Sequence, residues 1–223
     1  MRPDHQIDRN GPTAFLVGAT GLIGSSLLHR LVESDLYSAI YVMARSAAPE
    51  RYTDRITSGQ LYWLTFDDQL PASIDHFFCA LGTTQKVAGK TGLERVDREL
   101  VVQSAQQALS AGASLISIVS AQGANAHSAF FYNRIKGKME RDVEALKSPA
   151  VHFWQPSVLL GEREDHRIAE SLAACFLRWP LPVNVRARPG SQIASAMLKA
   201  ARSVRPGCFR FKVSDIDNFN KEK

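Results

Sequence analysis

Tyr132 and Lys136 stand four residues apart in the stretch Phe131-Tyr132-Asn133-Arg134-Ile135-Lys136, so on a helix both side chains leave one face. A phenol is a poor base, ionising near pH 10 (about) in a model peptide. An ammonium beside it favours the phenolate, which would let the pair exchange a proton with an alcohol or a carbonyl near neutrality. Ser120 lies twelve residues before Tyr132, at the end of a predicted strand. A hydroxyl there can hold and polarise a substrate carbonyl. The pair alone is a weak signal, because a core tyrosine and a solvated lysine produce the same spacing. Its weight comes from a second group of residues that could bind a hydride carrier.

That group is a glycine-rich turn. From Ala14 to Val32 the chain reads AFLVGATGLIGSSLLHRLV: four apolar residues, then Gly18, Gly21 and Gly24, then Leu27, Leu28, Leu31 and Val32 at helical spacing. A strand, a tight turn and a helix aim backbone N–H groups and the positive end of a helix dipole at one point, where a dinucleotide pyrophosphate fits. Gly18 would allow the sharp turn, Gly21 the approach of backbone to phosphate, and Gly24 the close packing of helix on strand. The expected contacts run through Gly18, Ala19, Thr20, Gly21, Leu22, Ile23 and Gly24. No Gly-Lys-Ser/Thr follows, which argues against a triphosphate loop.

The elements that must position these residues alternate. Ala39–Ala44, Leu61–Phe66, His76–Leu81, Ser114–Val119 and Ala150–Trp154 read as strands, with helical periodicity from Leu93 to Ala105 and from Ala129 to Leu146. This pattern predicts one α/β domain, a three-layer, doubly wound parallel sheet of Rossmann type. Ligands of such sheets sit at the carboxyl ends of the strands. Arg45 and Ser46 follow the second strand, where an acid would select NAD; a cation there suits the 2′-phosphate of NADP. Asp67 follows the third strand, within reach of an adenine or merely in a solvated turn. Ala80, Leu81, Gly82 and Thr83 follow the fourth, where small residues let a cofactor pass.

Beyond Arg163 the pattern weakens. Ile168–Trp179 is amphipathic and is expected to form a lid helix, Ile193–Arg202 a further helix, and Cys208–Val213 an edge strand. Residues 160–223 are therefore assigned to a substrate or lid region, and residues 1–12 to a tail. The net charge of +5 comes from scattered basic residues and implies no nucleic acid. No apolar run is long enough to span a membrane, and no spacing suits a metal. Three cysteines without C-x-x-C read as reduced thiols, and the protein is expected in the cytoplasm.

On Gly18-Ala-Thr-Gly21-Leu-Ile-Gly24, Ser120 and Tyr132-x-x-x-Lys136, the chain resembles the short-chain dehydrogenase/reductases. CALGTT (79–84), VDREL (96–100), SAQGANAHSAFFYNRIKGKME (120–140) and QPSVLLGER (155–163) are similar to the atypical, Tat-interacting oxidoreductase-like branch. The resemblance implies NADP(H) as cofactor, Ser120, Tyr132 and Lys136 as the catalytic group, and Lys136 as a further contact to the nicotinamide ribose. It implies hydride transfer to or from a small carbonyl or alcohol substrate, by a monomer or homodimer. The alternative is a non-catalytic NADP(H)-binding sensor or assembly factor. Two positions depart from the family pattern: Asp97 stands where many members have a proton-relay Asn, and Gln155-Pro156 where many have Arg-Pro.

Overall fold

The apolar runs become strands buried on both faces, as a parallel sheet requires. The computed structural model describes residues 11–157, 159–160 and 188–221. In chain order the elements are β1 (Thr13–Val17), α1 (Leu22–Val32), β2 (Ala39–Met43), α2 (Thr53–Thr57), β3 (Leu61–Leu64) and β4 (His76–Cys79). Then come α3 (Gln85–Glu94), a π-helical turn (Arg95–Glu99), α4 (Leu100–Ser110), β5 (Leu115–Val119), α5 (Phe131–Glu144) and β6 (Ala150–Trp154). The two-residue strands β7 (Leu159–Leu160) and β8 (Arg188–Pro189) pair with each other, and α6 (Gly190–Ala201), β9 (Gly207–Phe211) and α7 (Val213–Lys221) follow. The seven-stranded sheet has the order β3-β2-β1-β4-β5-β6-β9, every pair parallel. The order in which strands are added switches sides between β1 and β4, and their carboxyl ends form the crevice where such folds bind ligands.

Two cores sandwich the sheet. On one face Leu16, Phe78 and Trp154 pack against Leu27 and Leu31 of α1, Ile193 and Met197 of α6, and Ile216 of α7. On the other, Phe15, Phe77, Ile116 and Ile118 meet Val101 of α4 and Met139 and Val143 of α5. Residues 190–221, grouped with a lid region by the sequence reading, thus supply the seventh strand and two core helices. The expected lid helix at Ile168–Trp179 and the first ten residues of the tail lie outside the described residues.

Strand β2 ends one residue and strands β3 and β4 two residues earlier than the sequence predicts. After Leu64 the Thr65 N–H and hydroxyl both donate to the Asp68 carboxylate, 2.7 and 3.0 Å, and close a turn in which Asp67 is exposed. After Cys79, Ala80 and Leu81 leave the sheet to pack on Gly18. The π-helical turn and α7 had no counterpart in the sequence reading. A π turn changes no side-chain type and keeps helical apolar spacing nearly intact, so periodicity does not report it.

Two histidines lie in the core. Tyr37 Oη and His76 Nδ1 are 2.9 Å apart, and the His152 ring meets Trp154, Phe209 and Phe211 edge-on, with no hydrogen-bond partner for its Nδ1 among the described residues. Burial lowers both imidazoles, and the neighbouring His76 helps bring His152 down to about 4. Above the unfolded value of about 6.5 neither state is protonated; below it the unfolded chain takes up protons that the folded chain refuses. Stability is therefore lost as pH falls through the window from about 6.5 to about 4. Urea midpoints should decline over that window, with His152 accounting for about 3 kcal/mol by proton linkage. The variant His152→Phe should flatten the decline.

Candidate active site

The glycine turn forms because each glycine meets a different constraint. Gly18 has φ +87°, and a Cβ there would stand 2.6 Å from the Ala80 carbonyl carbon. A Cβ on Gly24 would overlap the Gly18 carbonyl, so α1 seats on β1 only without one. Gly21 differs. Its φ is −77°, and a Cβ would sit 3.4 Å from the nearest protein atom, an ordinary contact. The fold itself thus does not demand glycine at 21, and Thr20 and Gly21 are exposed. No side chain caps α1 and no acid occupies its first turn, which leaves its N–H groups and positive dipole end open to an anion. Ala19 and Ile23 are buried and Leu22 packs under the start of α6, so these contribute backbone rather than side chains to the turn's surface.

Arg45 and Ser46 follow β2, whose last residue Met43 is in register with Val17 of β1. Arg45 is exposed and joins no salt bridge among the described residues. The Ser46 carbonyl accepts the Trp63 indole N–H at 2.8 Å, which anchors this loop to β3. On the other side of β1, the Ala80 N–H still bonds the Val17 carbonyl, 2.9 Å, so Ala80–Thr83 runs alongside the glycine turn.

Tyr132 and Lys136 lie on the first two turns of α5, as the spacing predicts. The Lys136 ammonium is buried and sits 2.9 Å from Asp97 Oδ1, whose side chain is fully buried in the π-helical turn. Asp97 Oδ2 accepts the Thr83 N–H at 2.8 Å, and the Val119 carbonyl accepts from Lys136 Nζ at 3.3 Å. The expected phenolate is corrected by this partner. Burial pushes the Tyr132 phenol up, the ammonium pulls it down, and the Asp97 carboxylate pushes it up again; the net direction is upward. Lys136 is raised too, because Asp97 and Tyr132 outweigh its desolvation.

Ser120 ends β5 as expected, but its proton is already committed: Oγ donates to Glu140 Oε1 at 2.5 Å. The same oxygen accepts Gln155 Nε2 at 2.9 Å, while Glu140 Oε2 accepts Arg210 Nε at 2.9 Å and Glu144 takes the far end of that guanidinium at 2.7 Å. Gln155, where many family members have an arginine, therefore serves Glu140, and the guanidinium comes instead from β9. The sequence reading missed Glu140. It lies four residues beyond Lys136, one more step along the face shared by Tyr132, and that spacing was the available signal. Asn133 went unread as well; its amide donates to the Gln122 and Gly123 carbonyls, 3.2 and 2.9 Å, and ties the loop after β5 to α5.

A sheet of this order with an uncapped glycine turn at its crevice defines a Rossmann-type dinucleotide-binding protein. The family model NAD_binding_4, described as Male sterility protein, matches residues 16–122. Protein HTATIP2 of Rattus norvegicus is 33% identical over 180 residues, covering 79% of this chain and 74% of that protein. The mitochondrial Protein FMP52 of Eremothecium gossypii is 37% identical over 156 residues, 69% of each chain. Among solved structures, MoeE5 in complex with UDP-glucose and NAD aligns with TM-score 0.66 at 16% identity, over 90% of this chain and 75% of that one. A short-chain dehydrogenase/reductase from Burkholderia thailandensis aligns with TM-score 0.65 at 15% identity, over 93% and 94%. The chain belongs to the atypical, NAD(P)-binding branch of the short-chain dehydrogenase/reductases that holds HTATIP2 and FMP52.

The expectation of a cytoplasmic protein is overturned by the FMP52 relatives, several of which are named mitochondrial. Free thiols and a Rossmann core carry no address, so composition was the wrong evidence for a compartment. Among the described residues no helix is long and apolar enough to cross a membrane.

The Lys136–Asp97 pair generates a stability prediction. Lys136→Met should cost about 3–5 kcal/mol, the penalty for stranding a buried charge. Adding Asp97→Asn should return much of it, since the amide oxygen can still accept the Thr83 N–H. Urea unfolding of the two single variants and the double variant checks this coupling.

Proposed function

We propose that the protein is an NADP(H)-dependent oxidoreductase acting on a small carbonyl or alcohol substrate, with Tyr132 as its acid–base group. One observation carries this reading: the Tyr132–Lys136–Asp97 group stands on the same rim of the sheet as the open glycine turn and is tethered to it. Asp97 holds Thr83, and the loop of Thr83 packs on Gly18 through Ala80. The residues fit a dinucleotide. Gly18–Gly24 would take the pyrophosphate, Arg45 and Ser46 the 2′-phosphate, Ala80–Thr83 would line the path, and Lys136 would reach the ribose hydroxyls. When bound, the nicotinamide supplies or accepts a hydride. Tyr132 moves the accompanying proton, and Lys136 holds the phenol in place. Ser120 would accept hydrogen bonds through its free lone pairs while its own proton stays on Glu140.

That commitment of Ser120 favours a second reading, a binding protein that senses NADP(H) without turnover. The names of the fungal relatives support a mitochondrial setting for either role.

Three experiments decide between the readings and test the cofactor. A panel of carbonyl substrates with NADPH should reveal turnover, and Tyr132→Phe should lower it by about 10²–10⁴-fold with cofactor affinity little changed. Wild-type turnover in Tyr132→Phe would sink the catalytic role and promote the sensor. Gly21→Val should keep the fold and lose NADPH binding by calorimetry, because position 21 is exposed and a Cβ there makes only ordinary contact with the protein, whereas a side chain would stand where a phosphate should lie. For cofactor choice, NADPH should bind on the order of tenfold or more tighter than NADH through a charge-assisted contact to Arg45. Arg45→Asp should erase or invert the preference; equal affinities in the wild type would remove Arg45 from the site.

A further inference from the structure

We propose that Asp97 sets the resting form of the site: by taking up the Lys136 charge it leaves Tyr132 a neutral phenol, the form that donates a proton in a carbonyl reduction. This rests on the oxidoreductase reading and adds to it the working form of the site.

Charges are few in the dry space around Lys136. Lys136 Nζ is 2.9 Å from Asp97 Oδ1, with side-chain exposures of 2% and 0%. Several groups of the described residues face the pair. From β4 comes Cys79, a fully buried thiol pushed up to about 11 and therefore neutral. From the end of β5 comes the Val119 carbonyl, from the loop after β4 the Thr83 N–H, and from α5 Tyr132 itself. Glu140, the next carboxylate along α5, is ion-paired with Arg210 and lies outside this count. Among the described residues the group thus holds one cation and one anion. Ionising the half-buried phenol would set a second anion beside an ammonium that Asp97 already neutralises in a space shielded from water. With an uncharged residue at position 97, the phenolate would be the natural counter-ion of Lys136. The upward direction of the Tyr132 phenol agrees with this count.

In the reaction, Tyr132 gives its proton to the substrate oxygen while the carbonyl carbon receives hydride from the bound dihydronicotinamide. The C=O π pair becomes the new O–H bond, a C–H bond forms, and the phenolate left on Tyr132 takes a proton from water. The resting phenol is the reactant form for this direction. Dehydrogenation needs the phenolate, which is the minor form at neutral pH. Asp97 touches neither substrate nor reacting atoms, so its role is to position and neutralise Lys136.

The test reads Tyr132 directly. The full chain is labelled with [13Cζ]tyrosine, loaded with NADPH and titrated by NMR, the Tyr132 resonance being the one lost in Tyr132→Phe. The wild-type phenol should persist beyond the pH at which free tyrosine ionises. In Asp97→Asn its midpoint should fall by about one pH unit or more, the size of effect expected when a nearby opposite charge is released to it. Alongside, carbonyl reduction by the wild type should stay flat from about pH 6 to 9, whereas Asp97→Asn should lose reduction at the alkaline end and gain oxidation. A wild-type phenolate near neutrality, or a midpoint unmoved by Asp97→Asn, overturns the role of Asp97. If Asp97→Asn does not fold, the wild-type titration alone decides. Full turnover in Tyr132→Phe would instead overturn the oxidoreductase reading, whatever the titration shows.

Discussion

The contact on which the site depends is the ion pair between Lys136 and Asp97. It is buried, so it holds only with close geometry and with the remaining valences satisfied. Asp97 meets that demand by reaching in two directions, to the ammonium of α5 and to the Thr83 N–H in the loop after β4. The loop in turn lies against Gly18, whose positive φ and missing Cβ let backbone meet backbone. A displacement of any one of these would leave a charge or an N–H without a partner in a dry space. The catalytic-type residues and the dinucleotide-type turn are therefore held in one register by electrostatics rather than by apolar packing alone.

The same helix carries a second buried carboxylate, Glu140, and resolves it with different partners. Ser120, Gln155 and Arg210 surround it, from the ends of β5 and β6 and from the edge strand β9. Helix α5 thus turns one polar face, Tyr132, Lys136 and Glu140, along the carboxyl end of the sheet while Met139 and Val143 enter the core. Neither buried pair need add net stability, since desolvation offsets much of the attraction; their consequence is positional. They specify where a phenol, an ammonium and a hydroxyl stand, and what protonation each can adopt.

Much of this was legible in the chain itself. The parallel order follows from apolar strands alternating with helices, and the glycine turn announces itself by spacing and flanks. Gly18 and Gly24 do what their places in the motif require, and Gly21 is glycine at a position where the protein alone tolerates a side chain. Cys208–Val213 was read as an edge strand, and Gly207–Phe211 is one. The errors share a cause. Strand ends at Leu64 and Cys79 were misjudged because a side-chain-to-backbone turn and a close approach to another loop end them, and neither leaves a hydrophobic period.

What the sequence by itself determined is the fold class, the family and the identity of the groups that could bind and react. The fold class and the groups rest on periodicity, glycine spacing and residue type, and the family on the resemblance of whole stretches such as CALGTT and VDREL, all local properties of the chain. What only the tertiary structure decided is which partners surround those groups. Asp97 is 39 residues from Lys136 in the chain and Glu140 is 70 from Arg210. Whether a tyrosine beside a lysine is a phenolate or a phenol depends on which third charge shares the space, and whether a serine is free depends on which carboxylate reaches it. Both follow from burial and from distances of about 3 Å between residues remote in sequence, because Coulomb interactions and hydrogen bonds act through space and strengthen where water is excluded.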